Sequence, residues 1–103
     1  MEISKPGDDA LYKKEVQEGV QIFEKSFKGV EETKNFPEKK LEFEKSTQEA
    51  LQAIQDAAKG LMNKEILAQK EKLQKDYDHY LEDPTPQNQK QVEKDIRTFK
   101  ESL

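Results

Sequence analysis

Val16, Val20, Phe23, Phe27 and Val30 recur every three or four residues in a stretch otherwise dominated by charge, which is the spacing of one apolar stripe along an α-helix. The pattern returns with Leu51, Ile54, Ala58 and Leu61, and again with Val92, Ile96, Phe99 and Leu103. A narrow stripe is stable in water only when another surface covers it. The chain therefore predicts an all-α fold, an elongated antiparallel helical bundle whose rods shield one another.

Residues 1–7 contain Pro6 and Gly7 and no periodic pattern. They are expected to form a flexible leader, with Asp8 or Asp9 capping the first helix of a single bundle domain over residues 8–103. Helix 1 is expected to run to about Asn35. Asn35-Phe36-Pro37 should stop it, because proline disfavours helical geometry in the residue before it and suits the first turn of a new helix. Asp83-Pro84-Thr85-Pro86 is a second stop, with Thr85 as N-cap and Pro86 at the first position of a last helix over about residues 86–102. Gly19 and Gly29 each weaken helix 1 by on the order of 1 kcal/mol. Gly19 reads more readily as a tolerated surface glycine than as a point where another backbone comes close.

The middle of the chain admits two readings. Ile54, Ala58, Met62, Ile66 and Leu73 keep helical phase, which favours one long helix from Pro37 to Leu81 and a three-helix bundle. Such a rod would be ~65 Å long. Alternatively Gly60 caps a helix, Asn63 caps the next, and the bundle has four.

Composition narrows the function. The 103 residues suffice for one core. Hydrophobic residues make up 32% and charged residues 39%, with a mean hydropathy of −1.13; only the periodicity sets the chain apart from a disordered one. The net charge of −4 is spread in both signs, and Arg97 is the one arginine. That argues against nucleic acid, whose phosphates and guanines favour arginine forks. No run approaches the roughly 18 apolar residues that span a bilayer, so no membrane insertion is expected and the chain reads as soluble. Without cysteine there are no disulfides and no thiolate chemistry, and the compartment stays open between cytoplasm and exterior.

Chemistry-bearing patterns are weak. His79 is the only histidine, set among Asp76, Asp78, Glu82 and Asp83. With no second histidine and no cysteine it lacks the partners of a zinc site, and Asp76 and Asp78 point apart on a helix. Ser4, Ser26, Ser46 and Ser102 lie in no glycine-bounded elbow, and the four glycines form no phosphate cradle. No catalytic residue, cofactor or metal is therefore expected, and the chain reads as a non-enzymatic module binding through a helix face. Ile22, Phe43 and Leu67, with Phe36, fall beside the main stripes, and Tyr77 and Tyr80 stand as aromatic anchors near the Asp-Pro stop. Ile22, Phe43, Leu67, Tyr77 and Tyr80 are the candidate partner-binding residues. The partner is another protein, or a second copy of the chain in a homodimer that buries the leftover stripe.

Overall fold

In a computed structural model, which describes residues 6–103 with side chains from Ala10 onward, the stripes lie on four helices: α1 (Pro6–Glu32), α2 (Pro37–Leu61), α3 (Lys64–Glu82) and α4 (Pro86–Ser102). Ser26 pairs with Ser46 across α1–α2, Thr47 with Tyr77 across α2–α3, Lys72 with Asp95 across α3–α4, and Glu24 with Lys100 across α1–α4. With Tyr12 on Gly60, Gln55 with Lys70 and Gln69 with Ser102, the paired residue numbers run in opposite senses along each pair of consecutive helices, which are therefore antiparallel. The result is an up-down-up-down bundle measuring 54 × 24 × 17 Å.

Each turn follows from local chemistry. After α1, Phe36 N–H donates to the Thr33 carbonyl at 2.8 Å, and Pro37 opens α2 without any side-chain cap. At the second stop, the Thr85 hydroxyl accepts from Asn88 N–H at 3.1 Å, with Pro86 at the first position of α4 as its sequence requires. Asn88 also donates through Nδ2 to the Asp83 carbonyl at 2.8 Å, tying the loop shut.

Three expectations need correction. The long helix through Gly60 is not formed, and the four-helix alternative holds. Met62 adopts the left-handed conformation (φ 56°), its N–H donates to the Lys59 carbonyl, and Asn63 N–H donates to the Ala58 carbonyl at 3.1 Å. This is a Schellman turn. Asn63 then caps α3 by accepting from Ile66 N–H at 3.1 Å. Phase was a poor guide because a tight reversal must also return the stripe to the same core, and Met62, which carried the phase across, is 87% exposed. Gly60 itself stays inside α2.

The second correction concerns the first cap. As described, α1 spans Pro6–Glu32, so Asp8 and Asp9 lie within the helix rather than at its cap. Residues 1–5 lie outside the described ones. Third, Gly19 is buried against α2: a Cβ there would lie 2.6 Å from Ile54 Cγ1 and 3.4 Å from the Ala50 carbonyl oxygen. Phe43 lies over Gly29 in the same way, and the Tyr12 ring lies over Gly60 with Cζ 2.7 Å from where a Cβ would be.

The core is one continuous cluster. At its centre the Tyr77 ring packs edge-on against Phe23 (centroids 5.2 Å apart) and Phe27 (5.8 Å), and Tyr80 packs edge-on against Phe27 at 5.1 Å. Such edge-to-face pairs add to the burial of the rings themselves. Val16, Val20, Leu51, Ile54, Leu73 and Val92 fill the rest.

Candidate functional site

The five candidate residues separate into two groups. Tyr77 is fully buried and Tyr80 is 4% exposed, so neither can meet a partner, which corrects that expectation. The cause is aromatic packing from α1, joined for Tyr77 by a buried polar bond. The Thr47 hydroxyl has one proton, which it gives to the Glu44 carbonyl at 2.5 Å. Tyr77 therefore donates in the 2.8 Å contact between the two hydroxyls. Burial pushes the Tyr77 phenol up to about 12. Leu67 is half-buried and packs against the core edge. Of the five, Ile22 and Phe43 are the exposed ones.

Ile22 is 48% exposed and Phe43 is 36% exposed. Ile22 lies about three turns along α1 from Leu11, and Gly29, which Phe43 covers, lies about two turns further on. Leu11, Ile22 and Phe43 thus fall along one line of the α1–α2 hairpin. The buried positions Val16, Val20, Phe23 and Phe27 point to the other side of α1, toward α3 and α4.

The far end of this hairpin is also uncovered. Tyr77 lies opposite Thr47 and α3 ends at Glu82, so α3 runs out roughly level with Glu42 and the α1–α2 turn projects beyond it by about one and a half helical turns. Phe36 (59% exposed) and Leu41 (66% exposed) sit on that projection. Lys39 Nζ lies 6.0 Å above the Phe36 ring, a partial cover by cation–π attraction. Helical periodicity alone does not foretell the exposure of Leu41, since it does not reveal where the covering helix stops.

Polar chemistry gathers elsewhere, on both flanks of α4. Lys72 Nζ bridges Asp95 at 2.8 Å and Asp76 at 3.2 Å, and Gln91 donates to the same Asp95 oxygen at 3.1 Å. Burial raises the Asp95 carboxyl, and Asp76 beside it raises it further. For Asp76 partial burial works upward, but hydrogen bonds with Asp95 and Lys72 outweigh it and hold the carboxyl low. On the opposite flank burial raises Glu31, with Glu93 of α4 adding to the effect.

A groove of about 390 Å³ between α1 and α4 is lined by Phe27 and Ile96 but rimmed by Glu24, Lys28, Glu93, Arg97, Lys100 and Glu101. Its mixed charges converge on no single ligand chemistry. His79 is exposed on α3. Among the described residues no three histidine or carboxylate side chains gather as a metal centre would require, and no helix is long and apolar enough to cross a membrane.

No family model, curated protein or solved structure matches the chain.

Proposed function

We propose that the protein is a non-enzymatic interaction module whose α1–α2 hairpin binds another protein. The observation that carries this reading is the uneven distribution of apolar surface. Among the described residues the exposed large hydrophobic ones are Leu11, Ile22, Phe36, Leu41, Phe43 and Met62, all on α1, α2 or the turns that bound them. Helices α3 and α4 expose none among the described residues. Leu11 and Ile22 project from one face of α1 with the charged Glu15 and Glu18 between them, and apolar side chains set among charges in this way suit a protein contact. Leu11 and Ile22 are spaced to receive the apolar side chains of a partner helix lying along the hairpin.

Leu11→Glu and Ile22→Glu test the reading. Both side chains project into solvent, so each variant should melt as the native chain does. In affinity capture from the source cells, the native chain should retain a stoichiometric partner that both variants lose. A partner retained equally by all three would overturn the assignment of this face. Solution mass measured at two concentrations distinguishes the other occupant: a dimer that both variants split would assign the face to a second copy of the chain.

A further inference from the structure

Among the described residues two buried side-chain atoms have no hydrogen-bond partner, Glu31 Oε1 and Asp95 Oδ2. Both are carboxylate oxygens, and both lie where α4 meets a neighbour. Glu31 of α1 faces Glu93 of α4, and Asp95 of α4 faces Asp76 of α3. A buried oxygen without a donor carries a desolvation penalty, and a second carboxylate opposite adds repulsion. Helix α4 is therefore opposed on both flanks when all four acids are ionised.

We propose that α4 is an acid-tightened lid, docked more firmly over the α1–α3 core when Asp95 and Asp76 come to share one proton and Glu31, near Glu93, takes up another. At the aspartates protonation supplies the donor that the orphaned Asp95 oxygen lacks, and at both places it lessens the like-charge repulsion. The surrounding charges do not already cancel it. Around Glu31, α1 contributes Lys28, Glu32 and Lys34, and α3 contributes the Tyr80 hydroxyl, which both Glu31 and Glu93 raise after its own burial does so first. Arg97 and Lys100 of α4 stand along the same groove, where Lys100 is engaged with Glu24 at 2.9 Å. Around Asp95, α3 contributes Lys72 and Asp76, with His79 beside Asp76, and α4 contributes Gln91 and Lys94. One lysine serves two aspartates there, and its side chain is 62% exposed.

The direction follows from linkage. Glu31 and Asp95 are both raised in the folded chain, so the docked state binds protons more tightly than the open one. Docking strengthens as pH falls through the raised values, and the gain is complete below the ordinary carboxylate values. Asp76 is lowered, so its bridge to Lys72 survives until pH falls through that lowered value. Tightening therefore occupies the window between neutrality and the ordinary carboxylate range.

Amide hydrogen exchange resolved by helix reads this out, with rates corrected for the intrinsic effect of pH. From about pH 7.5 to about pH 5, protection of Val92, Ile96 and Phe99 should rise relative to Val20 and Ile54, as expected when the docked state binds protons more tightly than the open one. In Glu31→Gln with Asp95→Asn, α4 protection at the higher pH should already be raised and its pH dependence should flatten. Each single variant should flatten it partly, which keeps the test available if the double variant does not fold. Protection of α4 that is flat, that falls on acidification, that moves in step with α1–α2, or that keeps its full pH dependence in the variants would overturn the proposal.

Discussion

The α1–α2 hairpin brings its helices together over glycine, with Ile54 against Gly19, Phe43 against Gly29 and Tyr12 against Gly60, while the α3–α4 hairpin contains no glycine at all. Its interior instead includes charge: Lys70, 8% exposed, donates to Gln55 of α2 at 2.7 Å, and Asp95, 9% exposed, holds Lys72. The lengths differ in the same sense, 27 and 25 residues against 19 and 17. The two long helices in close contact keep apolar surface to spare. The two shorter ones carry the opposed acids. The proposed binding surface and the proposed responsive element thus fall on different halves of one small bundle.

Substitutions can test that contrast at decreasing amplitude. Phe23 joins the halves through Tyr77, so Phe23→Ala should lower stability by about 3–5 kcal/mol, read from denaturant or thermal unfolding. The neighbouring Ile22→Ala should stay within about 0.5 kcal/mol, because its side chain is already half in water. Equal losses would show that the two faces of α1 are not distinct.

Gly19→Ala should lose a net ~1–2 kcal/mol, since Ile54 is fully buried and cannot retreat from the added methyl. Gly29→Ala should lose less, because the half-exposed Phe43 ring can swing outward. The same melts rank the pair, and the reverse order would show that α1 and α2 are not clamped at Gly19. Tyr77→Phe removes the donor to Thr47 but leaves Thr47 bonded to the Glu44 carbonyl, so a loss of about 1 kcal/mol is expected. Met62→Gly should stabilise by up to about 1 kcal/mol, because glycine accepts the left-handed backbone freely while its extra freedom in the unfolded chain offsets part of the gain. A loss there would show that the exposed Met62 side chain makes a contact after all.

Much of the fold was legible in residue order. The stripes at Val16–Val30, Leu51–Leu61 and Val92–Leu103 are core, apart from the half-buried Leu61 and Leu103 at its edge. Pro37 and Thr85-Pro86 mark true helix starts because their chemistry acts within a few residues. The break at Met62 was harder to see, since its left-handed residue is neither glycine nor asparagine and the stripe continues through it. Of the candidate contact residues, Ile22 and Phe43 were distinguishable by their offset from the stripe. Tyr77 and Tyr80 were not, because a tyrosine at helical spacing can point its ring inward or its hydroxyl outward.

Residue order alone therefore determined that the chain forms amphipathic helices, which residues face inward along most of them, and where proline and the Thr85 cap interrupt them. These are local matters, governed by backbone geometry and side chains within about one turn. Tertiary structure decided how far α3 and α4 reach along the first hairpin, and so which apolar residues remain in water. It also decided that Gly19 lies under Ile54 and that carboxylates from three helices oppose one another around α4. Those outcomes depend on which residues, distant in sequence, share the same dry space, and on the low dielectric there that makes a like-charge pair matter.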